Sequence, residues 1–306
     1  MTAQELAIAR SVVYASLFDY PLTLDELHRT LVECRMTPSQ ITTVVSHSAT
    51  LAEILECRDG FFFLAGRADL VAERRRREAR SRAFLARHAR LLWWICAIPF
   101  TRLVALSGSL AHLNLEPEGD LDLFIITRGP RVWTVTLAVL LLAKALGRRR
   151  LVCANFVIGD THLTLDQQDL FTANQVIALK PLVGGEALDA FAAANPFVAR
   201  YYPNAIVARG STFDPPTRVK RALEALLRLP APAIEAASRV LYGWYLTRRA
   251  RSWQSPEQVR LRADYLKLHT RSHRESILLR FEAALHDALE RARGAERPRL
   301  RTAGRR

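Results

Sequence analysis

Residues 102–126 read RLVALSGSLAHLNLEPEGDLDLFII, which combines an apolar segment, a Gly-Ser pair and two aspartates separated by one residue. Its first six residues, 102–107, are mostly apolar and predict a short buried strand. Gly108 then allows the backbone to turn tightly, so that the amide groups of Ser109 and the next residue open a helix. A helix start exposes N–H groups that bind anions. The pattern therefore predicts a phosphate-binding turn at Gly108 and Ser109.

A pair of carboxylates follows that turn. Asp120 and Asp122 flank Leu121 at the start of a second apolar segment, residues 121–126. Because side chains alternate along a strand, both carboxylates project from one face while Leu121 points to the other. Mg²⁺ binds carboxylate oxygens, and two of them beside a phosphate-binding turn indicate a magnesium site. Asp120 and Asp122 are therefore the predicted metal ligands.

The Gly-Ser turn, the spacer and the Asp-x-Asp pair together resemble the signature of the DNA polymerase β-like nucleotidyltransferase superfamily. The resemblance implies a small mixed sheet with flanking helices. It also implies that Gly108 and Ser109 hold a nucleoside triphosphate, and that Asp120 and Asp122 bind the Mg²⁺ that aligns it.

Three positions depart from the common pattern of that superfamily. Members often carry Gly where Leu113 stands, Ser where Gly119 stands, and Arg or Lys where His112 stands. These departures concern the spacer between the turn and the carboxylate pair.

Active members of the superfamily usually carry a third carboxylate on a neighbouring strand. The next strand here is predicted over residues 151–158, and its only strongly polar residue is Asn155. An Asn side chain coordinates Mg²⁺ weakly and cannot act as a base. Asp160, just past that strand, is the first candidate for the missing catalytic carboxylate. Asp166 and Asp169, in the following loop or helix, are the alternatives.

The resemblance implies a Mg²⁺-dependent enzyme that moves a nucleoside monophosphate from an NTP to an acceptor hydroxyl. The metal would bridge the phosphates and lower the pKa of that hydroxyl. An antibiotic, a tRNA end, a protein side chain and a sugar are all compatible acceptors. Two alternatives remain. One is a catalytically inactive member that senses nucleotide in the same pocket; the other is a nucleic-acid-binding regulator that uses the same fold.

The composition is that of a folded protein with a strong positive charge. The chain has 306 residues, of which 50% are hydrophobic, and a formal net charge of +14. That charge favours nucleotides and, through the basic segments, nucleic acid as partners. The four cysteines form no Cys-x-x-Cys pair, which argues against a zinc ribbon. The longest apolar run, 132–142, is shorter than the ~20 residues that cross a bilayer. With no signal-peptide pattern at the N-terminus, we expect a cytoplasmic protein without a membrane span.

Residues 1–66 predict three helices followed by a β-hairpin, which is the order of a winged-helix domain. Thr23 begins the second helix with a capping box, and the Asp-Gly pair at 59–60 favours a tight turn between two strands. In DNA-binding domains of this kind the third helix enters the major groove. Here that helix, 39–51, has no Lys or Arg, so a protein-contact role is favoured over DNA binding.

The remaining sequence completes a predicted α+β fold. The Arg-rich segment after the hairpin has the pattern of a long helix, and the sequence after the central core is helical, including a helix over 256–292. The expected parts are a winged-helix-like domain (1–66), a linking helix (67–98), a nucleotidyltransferase core (99–185), a helical C-terminal region (186–292) and a basic, disordered tail (293–306).

Overall fold

The computed structural model describes residues 1–207, 210–215, 217–269 and 272–303. The fold class is α+β, as predicted, with a three-stranded sheet near the N-terminus and a six-stranded sheet in the centre. Among the described residues, no helix is long and apolar enough to cross a membrane.

The N-terminal unit, residues 1–66, contains the predicted helices and hairpin. The third helix is shorter than expected, because Ser48 ends it and its hydroxyl then accepts the Leu51 N–H at 3.0 Å to begin a further short helix. A two-residue strand also joins the hairpin and completes the small sheet, in the order β1-β3-β2. The elements are α1 (Ala3–Ser16), β1 (Leu22–Thr23), α2 (Leu24–Arg29), α3 (Pro38–His47), α4 (Ala49–Ala52), β2 (Leu55–Arg58) and β3 (Phe61–Leu64).

The linking helix, α5, spans Asp69–Cys96, close to its predicted bounds. One of its many arginines, Arg74, is only 3% exposed. Its guanidinium donates to Glu26 Oε1 and to the Tyr20 hydroxyl, both at 2.9 Å. A buried arginine is tolerated only when such partners compensate its charge. This contact therefore fixes α5 against the N-terminal unit.

The central sheet has the strand order β7-β4-β5-β6-β9-β8. Strands β5 and β6 are parallel, and every other neighbouring pair is antiparallel. Helix α7 connects the parallel pair, as a crossover connection must. The elements are β4 (Thr101–Leu106), α6 (Gly108–Ala111), β5 (Leu121–Thr127), α7 (Val132–Ala145), β6 (Val152–Gly159), β7 (Lys180–Val183), β8 (Val259–Leu261) and β9 (Tyr265–Leu268).

The C-terminal region corrects one expectation. The helix predicted over 256–292 is wrong in its first part, because β8 and β9 lie there and extend the central sheet. Strand β9 pairs with β6, whose backbone groups at that edge need hydrogen-bond partners. Helix α13 continues to Ala303, within the segment 293–306 that was expected to be a basic, disordered tail; residues 304–306 lie outside the described residues. The helices are α8 (Leu170–Ala178), α9 (Ala187–Ala193), α10 (Phe197–Tyr201), α11 (Thr217–Leu227), α12 (Ala231–Arg249) and α13 (Arg274–Ala303), with short 3-10 turns at Ala250–Ser252 and Pro256–Gln258.

Helix α7 is capped by a carboxylate from another helix. Arg131 at its N-terminus provides no side-chain cap. Instead, Glu235 of α12 accepts the backbone N–H groups of Trp133 and Thr134 at 3.0 Å and 2.9 Å. Glu235 is 9% exposed, so water competes little for these hydrogen bonds. Because α7 connects β5 to β6, this cap supports the parallel pair.

We expect Glu235→Ala to lower the free energy of unfolding by about 2 kcal/mol, since it leaves two N–H groups unpaired at a buried helix start. Urea denaturation measures the change. Glu282→Ala, at an exposed position of α13, is the matched control and should cost less than about 0.5 kcal/mol. Equal effects of the two substitutions would contradict the capping role.

Candidate functional site

The topology brings three chain segments to one end of the central sheet. Leu106, the last residue of β4, pairs with Leu123 of β5, and the Ser107 N–H donates to the Asp122 carbonyl at 3.0 Å. In the parallel pair, Asp122 lies opposite Cys153 of β6. The Gly-Ser turn, the Asp-x-Asp pair and the start of β6 are therefore neighbours.

Gly108 lies directly against one of the two carboxylates. Its φ is +61°, in the left-handed region, and a Cβ added there would lie 2.4 Å from Asp122 Oδ2. No side chain fits that gap, so only glycine permits both the turn and the close carboxylate. Ser109 follows in α6, and its carbonyl accepts the Asn114 N–H at 2.9 Å. The structure thus brings the predicted turn and the predicted metal ligands together.

The two carboxylates form a compact cluster with two side chains from β6. Oxygen atoms of Asp120 and Asp122 and the Cys153 sulfur all lie within 4.8 Å of one another. The Cys153 thiol donates to Asp120 Oδ2 at 2.9 Å, and Asn155 Nδ2 donates to Asp122 Oδ1 at 2.8 Å. Each carboxylate therefore has one neutral donor and keeps oxygen lone pairs free for a cation.

The electrostatics of this cluster favour a cation. Burial, together with the neighbouring charge of Asp120, raises the pKa of Asp122 to about 7, although the Asn155 hydrogen bond opposes the shift. Burial also raises the pKa of the Cys153 thiol, with a further contribution from the Asp120 carboxylate, so the thiol stays protonated and remains a donor. A divalent ion between the carboxylates would remove the repulsion that raises the Asp122 pKa.

Asp160, the expected third carboxylate, lies at the opposite end of the sheet, so the structure corrects this expectation. It accepts the Gly129 N–H at 2.8 Å and forms an ion pair with Arg102 at 3.0 Å. Its own N–H donates to the carbonyl of Thr127, the last residue of β5. Because a strand rises about 3.3 Å per residue, Thr127 is roughly 17 Å along β5 from Asp122.

The two alternative carboxylates also have structural partners. Asp166 forms ion pairs with Arg260 and Arg262 of the β8–β9 hairpin, at 3.3 Å and 3.0 Å. Asp169 caps α8 by accepting the Thr172 N–H at 2.8 Å. Neither residue is in the cluster at Asp120 and Asp122.

Asn155 and Cys153 are the β6 side chains that face the carboxylate pair. The sequence left open whether Asp160 or Asn155 occupies the place beside the carboxylate pair, and the structure places Asn155 there; the sequence predicted no role for Cys153. The two residues are separated by one position, so they share a face of β6. The parallel register between β5 and β6 was the missing information, because it alone aligns that face with Asp122.

Three residues of the spacer, Leu113, Gly119 and His112, have constrained surroundings. Leu113 has a φ of +53°, a left-handed conformation that costs a leucine free energy and that Gly adopts freely. At Gly119, a Cβ would lie 2.2 Å from Leu115 Cδ1, so the leucine occupies the space that a serine would need. Burial lowers the pKa of His112 to about 4, with the nearby Lys180 as the next cause, so the imidazole is neutral at pH 7.

Two cavities adjoin the carboxylate pair. The larger, of about 590 Å³, lies between the N-terminal unit and the central sheet and is lined by Gly108, Ser109 and Asp120 among others. The smaller, of about 380 Å³, is lined by Cys153 and Asn155. Its further lining includes two arginines and three aromatic side chains: Arg149, Tyr242, Tyr245, Arg249 and Trp253.

Comparison of the chain with protein-family models, with curated proteins and with solved structures finds no match in any of the three.

The raised pKa of Asp122 predicts a particular pH dependence of stability. Asp has a pKa near 3.9 when unfolded, so the folded protein holds this proton more tightly. The bound proton therefore stabilises the folded protein at low pH, and this stabilisation is lost as the pH rises from about 4 to 7. Without metal, we expect the free energy of unfolding of Asp122→Asn, relative to that of the unsubstituted protein, to be greater at pH 8 than at pH 5.

Urea denaturation in EDTA at both pH values measures this change. Asp287→Asn, at an exposed position of α13, is the control and should show no such gain. If the Asp122 variant and the unsubstituted protein have the same pH dependence, the carboxylate pair is less coupled than the geometry indicates.

Proposed function

We propose that this chain binds a nucleoside triphosphate together with Mg²⁺ at a site of the nucleotidyltransferase type. Gly108 and Ser109 are the proposed phosphate residues, and Asp120 and Asp122 the proposed metal ligands. One observation carries the proposal: the Cα of Gly108 lies so close to Asp122 that a Cβ would be 2.4 Å from its carboxylate oxygen. A metal held by that carboxylate would be next to phosphates bound at the turn.

Charge supports a bound Mg²⁺ in particular. The site offers two carboxylates and one thiol, and the thiol is protonated and hydrogen-bonded to Asp120. Mg²⁺ prefers oxygen ligands and keeps part of its water shell, which suits two carboxylates and the phosphates of a ligand. Binding of the ion would also displace the proton that Asp122 holds below about pH 7.

Asn155 favours binding of the nucleotide over its turnover. Its amide lies on β6 beside Asp122 and donates a hydrogen bond to it. A third carboxylate in that position would instead bind a metal ion. A second ion that activates an acceptor hydroxyl needs that additional negative charge. With two carboxylates the site can hold one Mg²⁺ with its nucleotide, so a nucleotide sensor is the form of the proposal that we favour.

Nucleotidyl transfer is the second candidate. In this reaction a nucleoside monophosphate moves from the NTP to an acceptor hydroxyl, and pyrophosphate leaves. The supporting observation is the cavity of about 590 Å³ next to Asp120, which has the size of a small-molecule site. An acceptor in that cavity would have its hydroxyl beside the metal ligands.

A nucleic-acid-binding role has weaker support from the basic segments. Several arginines of α5 already pair within the helix: Arg76 and Arg77 contact Glu73, and Arg82 contacts Glu78. Such pairs are typical of a solvated helix face. The phosphates of a nucleic acid would have to compete with these carboxylates.

Calorimetry with each of the four NTPs and Mg²⁺ tests the binding proposal. We expect at least one NTP to bind, and Asp120→Asn and Asp122→Asn each to weaken that binding at least about 10-fold by removing a metal ligand. Gly108→Val should weaken it as much, because the added side chain displaces the Asp122 carboxylate. Asp160→Asn is the matched control, since Asp160 is at the far end of the sheet. An equal loss in that variant, or binding unaffected by EDTA, would contradict the assignment.

A labelling experiment separates sensing from transfer. We expect incubation of the protein with each radiolabelled NTP, Mg²⁺ and a cell extract to yield no labelled product. Asn155→Asp supplies the third carboxylate and tests whether the amide is what limits the site to binding. A product formed by the unsubstituted protein and lost in Asp120→Asn would establish transfer and displace the sensor proposal.

A further inference from the structure

The larger cavity has a cationic side that the metal ligands do not explain. Lys180 of β7 and Arg29 of α2 line it together with Gly108, Ser109 and Asp120. The two cations come from different parts of the chain, one from the central sheet and one from the N-terminal unit. The cavity lining therefore includes the proposed metal ligand Asp120 and, in addition, two basic side chains, Lys180 and Arg29.

Backbone pairing puts Lys180 next to the turn. It lies opposite Leu106, the last residue of β4, and Gly108 follows two positions later. Paired residues of antiparallel strands have Cα atoms about 5 Å apart. A lysine side chain is long enough to bring its ammonium group to a ligand at Ser109 from there.

A hydrogen-bonded contact holds the helix of Arg29 against the segment that follows the turn. Glu26, one helical turn before Arg29, accepts a hydrogen bond from the Tyr20 hydroxyl at 2.6 Å. The same hydroxyl lies 3.0 Å from the carbonyl oxygen of His112, directly after α6. The position of Arg29 relative to the turn is therefore fixed by short contacts.

Neither cation forms an ion pair in the described parts of the chain. Glu26 is the carboxylate whose charge favours the charged form of Lys180, and it is already paired with Arg74. Two unpaired cations in one cavity repel each other, so an anionic ligand would stabilise them. A polyphosphate with Mg²⁺ matches the whole arrangement, because the metal suits the carboxylates and the outer phosphate oxygens suit the cations.

We propose that Lys180 and Arg29 bind the polyphosphate of the nucleotide in this cavity, so that the N-terminal unit and the central sheet form one anion site. This inference rests on the proposed function, because it identifies the residues that hold the phosphates of the same ligand. It also makes the N-terminal unit part of the nucleotide site.

Calorimetry on the full chain with Mg²⁺ tests the inference with two probes, the four NTPs and inorganic tripolyphosphate, and with orthophosphate for comparison. We expect Lys180→Gln and Arg29→Gln each to weaken binding of both probes about 10-fold, the effect of losing one charge-assisted contact. Lys144→Gln on α7 and Arg58→Gln on β2 remove exposed cations elsewhere and are the matched controls. Unchanged far-ultraviolet circular dichroism and melting temperature show that each variant is folded.

The outcomes distinguish this inference from the proposed function. If tripolyphosphate binds and depends on Lys180 and Arg29 but no NTP binds, the anion site stands and the nucleotide proposal fails. If an NTP binds and the two variants bind it as tightly as the controls do, the nucleotide proposal stands and this inference is overturned. Orthophosphate that binds as tightly as tripolyphosphate would also overturn it, since the site would then be one for a single phosphate. Binding of neither probe overturns both.

Discussion

The close approach of Gly108 to the Asp122 carboxylate is the constraint on which the site depends. A hydrogen atom fits between the two, and a Cβ, at 2.4 Å from the carboxylate oxygen, does not. The approach results from the pairing of β4 with β5, which puts the turn at the end of one strand and the carboxylates at the start of the other. Any residue other than glycine would have to move either the turn or Asp122.

The two carboxylates also impose an electrostatic constraint on the site, which neighbouring side chains reduce only in part. Asp120 and Asp122 repel each other in a partly buried place, and burial and that repulsion raise the Asp122 pKa to about 7. The fold supplies neutral donors, the Cys153 thiol and the Asn155 amide, rather than a lysine or an arginine that would neutralise the pair. A salt bridge or an apolar pair in this place would stabilise the protein more. Arrangements of lower stability such as this one are typical of functional sites.

The sequence predicted the local part of this arrangement and missed the non-local part. The Gly-Ser turn, the strands on either side and the alternation of Asp120 and Asp122 follow from rules that act over a few residues. The third position of the site depends instead on the register between β5 and β6, which are separated by a helix, and no short pattern encodes it. Asp160 is close to β6 in sequence, but it follows the last residue of that strand, whereas the carboxylate pair lies beside the start of the strand. The strands β8 and β9 were missed for a related reason. Strand β9 gains stability by pairing with β6 and β8 by pairing with β9, not from a periodicity of their own.

The contacts around α6 give the N-terminal unit a mechanical connection to the site. Asn114 donates to the Phe18 carbonyl at 3.0 Å, and the Tyr20 hydroxyl lies 3.0 Å from the His112 carbonyl oxygen, so the segment after the turn is held at two points. Tyr20 in turn contacts Arg74 of α5, which is buried and paired with Glu26. A ligand that moves or orders the Gly108 turn would act on these hydrogen bonds, and a change in the N-terminal unit would act on the turn by the same route. Coupling of this kind is reciprocal. If the proposed nucleotide binds at the turn, a partner that binds the N-terminal unit should alter the nucleotide affinity by the same factor by which the nucleotide alters the affinity for that partner.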